Sequence, residues 1–232
     1  MASHCMPRSP WISSLDQAGW GLISDRIIHG LCHDLSGRAG SISGLTFLLE
    51  SQDGGASSVL PFLNEELAQL EVAVRLLRLL PDDAGEPELL APGEIMEDLI
   101  LLVRTQRGLE NVVVSMEGFS QAPALRVNRT LFIRVMTVLL TGAAERVALE
   151  KLDGVNIRAS GDGAELRLEL FPAPLPGEMP NPGNDDLPRQ AVGSQGMRIC
   201  RDVLGEEGVD LREVPDQEEG LLQLSFSSPS SS

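Results

Sequence analysis

A repeated amphipathic pattern in the first third of the chain restricts its fold more than any other feature. Apolar residues recur there at spacings of three and four in two stretches, and at about 100° per residue each stretch forms one stripe on a helix. The stripes consist of Ile27, Leu31, Leu35, Ala39, Ile42, Leu45 and Leu49, and then of Leu63, Leu67, Leu70, Val74, Leu77 and Leu80. Residues 15–82 are therefore predicted to form an antiparallel helical hairpin, with its second helix over 58–80. A second copy, in a four-helix bundle, or the rest of the chain must cover its apolar seam.

The second block, residues 90–227, alternates between helical and strand patterns. Helices are predicted at 93–106, 127–148 and 197–204, and strands at 111–116, 155–159, 165–171, 209–214 and 221–226. Since most of these strands follow each other as hairpins, we expect an α+β sandwich, with helices over one face of a mostly antiparallel sheet. A flexible arm is predicted at 1–14, a long Pro/Gly loop at 172–188 and a disordered tail at 228–232.

The charge of the chain restricts the partners that can be expected, and its cysteine content indicates the cellular compartment. The chain has 34 acidic and 18 basic residues, a net charge of −16, which disfavours nucleic acid and anionic membrane surfaces as partners. Its three widely spaced cysteines, Cys5, Cys32 and Cys200, argue against a disulfide scaffold and for a reducing compartment. The N-terminus carries no signal-peptide pattern, and no apolar run is long enough for a membrane span, so a cytoplasmic protein is expected.

His33 is the candidate reactive group. With Leu31 taken as zero, the apolar stripe of the first helix centres near about 20° and His33 lies near about 200°. The imidazole is therefore predicted to face solvent, where it can act as a nucleophile or a base. Its neighbour Asp34 can accept a hydrogen bond, orient an approaching group or act as a base.

Three glycines, Gly37, Gly40 and Gly44, share the face of His33. Each costs about 1 kcal/mol of helix stability relative to alanine, so their presence needs a reason. They provide either a smooth surface for the backbone of a docking protein, or relief of tight packing between helices, or a kink. Arg38, near the seam edge, contacts either the acidic site of such a partner or only a neighbouring carboxylate, and the second interpretation is favoured.

A metal site is not predicted beside His33. His29 lies one turn earlier on nearly the same side and Asp25 extends the row, which is a spacing that can hold a metal ion. No other cysteine or histidine is placed in the sequence to complete the ligand set.

The order of four segments resembles bacterial two-component signalling proteins. The segment LCHDLSGRAGSISGLTFLLE resembles their phospho-acceptor box, and LCHDL in particular resembles the ChpT-type histidine phosphotransferases. The segments LFIRVMTVLLTGAAERV, VNIRASGDGAELRLEL and GSQGMRICRDVLGEEGVDLREVPDQEEGLLQLSF are similar to the N-box helix, the next strand pair, and the glycine box with the last hairpin of an ATPase-like domain. The resemblance implies a homodimeric four-helix bundle, a phosphohistidine at His33 assisted by Asp34, and receiver domains of response regulators as partners.

Departures from that family concern nucleotide binding. Gly142 and Val138 stand where nucleotide-binding members carry asparagine, and the segment 168–174 lacks the expected aspartate and glycines. Ser194-Gln195-Gly196 keeps one glycine of the expected pair. The resemblance therefore implies a phosphotransferase that relays a phosphoryl group between receiver aspartates without ATP and without a cofactor of its own, the Mg²⁺ being held by the partner receiver domain.

Two alternatives remain open from the sequence. One is a divergent sensor histidine kinase, which would need a cation ligand such as Glu145. The other is a non-catalytic scaffold or inhibitor of two-component signalling, in which His33 carries no phosphoryl group.

Overall fold

The structure, a computed structural model, describes residues 19–51, 56–80, 86–150, 154–161, 165–173, 200–203, 205, 209–212 and 222–227. The predicted arm at 1–14, the tail at 228–232 and the loop after residue 173 lie outside these ranges. No helix within them combines the length and apolarity needed to cross a bilayer.

The first two elements are long helices that pack against each other. Helix α1 spans Trp20–Ser51 and helix α2 spans Ala56–Leu77. The predicted hairpin is confirmed, although its second helix begins two residues earlier and ends three residues earlier than expected. The stripe of α1 is deeply buried only at one end, where Ile27 and Leu31 are 0% and 1% exposed. Toward the connecting loop Ile42 and Leu45 are only half-buried and Ala39 is exposed. The predicted stripe of α2 was wrong as a buried face, because its residues are half-buried or exposed and the core takes Ala73 and Leu76 instead.

The remaining elements form an α/β unit. They are β1 (Glu88–Leu90), α3 (Pro92–Arg104), β2 (Val113–Glu117), a 3₁₀ turn (Phe119–Gln121), β3 (Leu125–Val127), α4 (Arg129–Glu150), β4 (Gly154–Gly161), β5 (Glu165–Ala173), β6 (Val209–Arg212) and β7 (Leu222–Ser227). Residues 200–203, within the predicted 197–204 helix, are helical.

Five strands make one sheet in the order β2–β4–β5–β7–β6. β2 runs parallel to β4, and the other neighbours are antiparallel, whereas β1 and β3 form a separate antiparallel pair. The predicted α+β class is confirmed. β5 continues to Ala173, which pairs with Gly154, so the expected loop start at residue 172 was wrong.

The sequence pattern missed β1 and β3 because each has only three residues. It also placed the start of α4 at Val127, which is wrong because Val127 ends β3. The helix begins after Asn128, whose side-chain Oδ1 accepts a hydrogen bond from the backbone N–H of Leu131 at 3.0 Å. Such an N-cap satisfies one of the otherwise unpaired amides at a helix start.

One continuous apolar core joins the base of the hairpin to the α/β unit. It contains Ile27 and Leu31 of α1 together with fully buried residues of α3 and α4 such as Leu99, Leu131 and Leu139. α4 is buried on nearly all sides, so its hydroxyls bond internally: Thr141 accepts a hydrogen bond from Gln106 at 2.9 Å. At its base, therefore, the seam is covered by the rest of the chain.

Two polar contacts and one close backbone contact stabilise the junction between α1 and the α/β unit. The Arg26 guanidinium on α1 lies 2.5 Å from the Glu145 carboxylate on α4. The Arg134 guanidinium on α4 lies 5.2 Å from the ring centroid of Trp20, which is a cation–π distance. Gly30 packs so closely on the end of α3 that a Cβ atom there would lie 1.9 Å from the backbone oxygen of Thr105.

Both described cysteines are free thiols. Cys32 is exposed on α1 and Cys200 is buried. Burial raises the pKa of the Cys200 thiol to about 12, which keeps it protonated and unreactive at neutral pH.

Gly30→Ala tests the junction. Because the added methyl group overlaps backbone rather than a flexible side chain, we expect the free energy of unfolding to fall by about 2 kcal/mol. Urea unfolding followed by circular dichroism measures it. The matched control is Gly37→Ala on the same helix, where an added Cβ meets no atom within 4 Å and stability should rise by up to about 1 kcal/mol. Equal changes in the two variants would contradict the close packing.

Candidate functional site

His33 lies on the exposed face of α1, as its helical position predicted. Its backbone is held two residues beyond Leu31, which is 1% exposed and packed in the core. No hydrogen bond or ion pair engages the imidazole among the described residues. The ring is therefore free to react while its backbone is anchored.

Asp34 and Arg38 form an ion pair one helical turn apart on α1. The Arg38 Nε donates to Asp34 Oδ2 at 2.9 Å, and a terminal nitrogen of Arg38 donates to Glu66 of α2 at 3.3 Å. The hydrogen bond to Asp34 is the main cause that raises the pKa of the Arg38 guanidinium above its usual value, with Glu66 contributing less. Arg38 thus contacts carboxylates of its own chain, which is the interpretation favoured from the sequence, and it ties the two hairpin helices together.

The three glycines beside His33 are all exposed. At Gly37, Gly40 and Gly44 an added Cβ would meet no other atom within 4 Å, so within one chain they do not relieve tight packing between helices. α1 runs through them without a break. What remains is a strip of bare helix surface that extends from His33 toward the connecting loop.

Gly30 is the glycine of α1 that lies in close contact with another element, and the sequence analysis did not identify it. The sequence carries no signal for it, since with Leu31 taken as zero Gly30 lies at about 260°, outside the apolar stripe, and only the packing of α1 on Thr105 identifies it.

His29 and Asp25 are exposed on the same helix. Within the described ranges, no three histidine, cysteine or acidic side chains are grouped so that they could hold a metal ion.

The positions on α4 where the resemblance expects asparagine are enclosed in the core. Val138 is 1% exposed and Gly142 is buried. Glu145, considered as a replacement cation ligand, is paired with Arg26 at 2.5 Å. Residues 168–173 belong to β5, whereas Pro174 and Ser194-Gln195-Gly196 lie outside the described residues.

A group of exposed apolar side chains lies on the part of the hairpin farthest from the core. Phe47 and Phe62 are 69% and 60% exposed, and Leu48 is 43% exposed. Leu48 and Phe62 line an open groove of about 400 Å³ between α1 and α2, together with Gly44. The sequence analysis missed Phe47, Leu48 and Phe62 because they flank the predicted stripes instead of lying on them.

Comparisons with known proteins give only distant likenesses. No protein-family profile matches the chain, and no curated protein matches it. Among solved structures, a bacterial phosphotransferase is 13% identical with a TM-score of 0.45, covering 88% of this chain and 94% of its own. The histidine kinase AdeS of Acinetobacter baumannii is 11% identical with a TM-score of 0.45, covering 85% of this chain and 98% of its own. A histidine kinase of Burkholderia phymatum is 13% identical with a TM-score of 0.39, covering 85% and 96%. Such identities and TM-scores do not place the chain in a family.

Arg38→Met tests the bridge between the two hairpin helices. Removing the guanidinium leaves Asp34 and Glu66 without their shared cation, so we expect the free energy of unfolding to fall by about 1 kcal/mol, a modest value because the groups are partly exposed. Urea unfolding at one protein concentration measures the change. Arg78→Met is the matched control, since Arg78 is an exposed arginine at the end of the same hairpin and forms no ion pair with any residue that the structure describes. The bridge would be contradicted if both variants were equally stable.

Proposed function

We propose that the chain is a ChpT-type histidine phosphotransferase that relays a phosphoryl group between receiver-domain aspartates through His33. The observation that carries this proposal is the exposed, unpaired imidazole of His33 on a helix whose backbone is anchored by Ile27 and Leu31. A nucleophile in a relay must be accessible to two partners in turn and must stay fixed in position.

The chemistry needs little from this chain beyond that imidazole. An unprotonated ring nitrogen attacks the phosphorus of a receiver's aspartyl phosphate, the N–P bond forms as the acyl P–O bond breaks, and the carboxylate leaves with the electron pair. The Mg²⁺ of the receiver neutralises the phosphoryl oxygens. Asp34, adjacent to His33 and held by Arg38, is the assisting base for the proton that the imidazolium then releases. The reverse sequence passes the group to a second receiver.

The bare strip at Gly37, Gly40 and Gly44 supports docking of a receiver. With no side chains above the helix backbone there, a partner's loop can approach closely beside His33. Arg38, the other predicted docking residue, is directed toward α2 by its ion pairs with Asp34 and Glu66.

The composition of α4 supports transfer without ATP. The two asparagine-equivalent positions carry buried Val138 and Gly142, which offer no oxygen ligand on a side chain for Mg²⁺. Glu145 is neutralised by Arg26.

A divergent sensor kinase and a non-catalytic scaffold are the alternatives. The kinase alternative requires binding of Mg²⁺–ATP, which calorimetric titration detects directly. The scaffold alternative requires tight binding of a receiver without any label on His33.

The distal half of the hairpin supports association with a second copy. Its seam is only half-buried in one chain, and Phe47, Leu48 and Phe62 are 43% exposed or more. A contiguous apolar patch of this kind on two helices is typical of an interface, and a second hairpin would complete a four-helix bundle. We therefore propose a homodimer.

His33→Ala is the direct test of the relay. Mixed with a phosphorylated receiver domain, the wild-type chain should acquire an acid-labile label, and the variant should acquire none because no other group replaces the nucleophile. Cys32→Ala, at the exposed neighbouring residue, is the matched control and should transfer at the wild-type rate. Label that persists in His33→Ala would refute the relay, and wild-type chain that binds receivers tightly without label would favour the scaffold.

Phe62→Glu tests the dimer. A carboxylate in the apolar patch would have to be desolvated in the interface, so we expect the dimer dissociation constant to rise by about tenfold or more. Light scattering coupled to gel filtration over a concentration series measures it. Leu89→Glu is the matched control, since Leu89 is 76% exposed and belongs to β1 instead of the two hairpin helices. A wild-type chain that stays monomeric at every concentration would contradict the dimer.

A further inference from the structure

Phosphorylation of His33 places new negative charge on an already acidic protein. The phosphoryl group carries up to about two charges, and the chain has a net charge of −16. Stabilising the group therefore calls for a nearby donor or cation. The candidates on this part of α1 are Arg26, His29, Ser36 and Arg38.

Three of these four side chains are already engaged. Arg38 donates to Asp34 and Glu66, and Arg26 is paired with Glu145. The Ser36 hydroxyl donates to the backbone oxygen of Cys32 at 2.8 Å.

His29 is the exception. It is exposed, and its imidazole has no hydrogen bond or ion pair among the described residues. It precedes His33 by four positions, and residues at this spacing are neighbours on a helix surface, with Cβ atoms about 5–6 Å apart.

The direction of helical side chains favours contact between the two rings. Each Cα–Cβ bond of a helix tilts toward the N-terminus, so the side chain of His33 covers the preceding turn, which is the turn that carries His29. This turn is rigid, because Ile27 and Leu31 are buried on either side of it and Gly30 packs against the backbone of Thr105.

We propose that His29 donates a ring N–H to an oxygen of the phosphoryl group carried by His33. This assignment rests on the proposed function. No bond to His29 is made or broken: the N–P bond of His33 forms as described above, and His29 holds the phosphoryl oxygens of the transition state and of the phosphohistidine. A hydrogen bond to a charged acceptor of this kind is stronger than one between neutral groups.

The test compares two substitutions at His29 in the full chain. His33 is phosphorylated by phosphoramidate, a small phosphoryl donor that needs no receiver, and mass spectrometry follows the label. His29→Leu removes the donor and should slow labelling of His33 by about tenfold. His29→Gln keeps an N–H donor and should restore the rate to within about threefold of wild type. The ³¹P chemical shift of phospho-His33 should move in the leucine variant and return in the glutamine variant.

Controls separate this inference from folding and from the proposed function. Both substitutions are at an exposed position, and circular dichroism checks that the helices are retained. Ser36→Ala, whose hydroxyl is engaged elsewhere, should label at the wild-type rate.

Equal rates in wild type and both His29 variants would overturn the inference, and so would equal slowing by leucine and glutamine. Label found on His29 itself in His33→Ala would overturn it as well. Absence of label at His33 in the wild-type chain contradicts the proposed function, whereas full-rate labelling of His29→Leu contradicts only the role of His29.

Discussion

The packing of one helical turn of α1 onto α3 and α4 is the constraint on which the rest of the site depends. Ile27 and Leu31 are almost fully buried there, and Gly30 lets the backbone of Thr105 come within a distance that any side chain would block. Because these residues occupy one side of the turn, His29 and His33 must lie on the other. The burial that stabilises the junction thus also exposes the face that carries His29 and His33.

Ion pairs determine which cations near His33 are available on the exposed face of α1. The chain has few cations, and those near His33 are paired with carboxylates: Arg26 with Glu145, and Arg38 with Asp34 and Glu66. These pairs join α1 to α4 and to α2, so both arginines stabilise the packing of the helices. The surface beside His33 is therefore lined by glycines and by cations that are already paired.

The hydrophobic periodicity of the sequence predicted the long helices, but it missed the shortest strands and misplaced one helix start. The periodicity of α1 and α2, with many turns of repeated spacing, predicted both helices and the exposed position of His33. It missed β1 and β3, which are three-residue strands stabilised by each other, and it misplaced the start of α4, where Asn128 caps the helix. Three residues contain too few alternations to distinguish a strand from a loop.

The sequence by itself determined which face of α1 is apolar, and therefore that His33 and Gly37, Gly40 and Gly44 point away from the core, because helical geometry converts spacing into direction. Only the tertiary structure decided that Arg38 bridges Asp34 and Glu66, that Glu145 is occupied by Arg26, and that Gly30 is the glycine in close contact. Apart from the pair of Arg38 with Asp34, these contacts join residues on different elements, and their distances follow from how the elements pack together, which no local pattern contains.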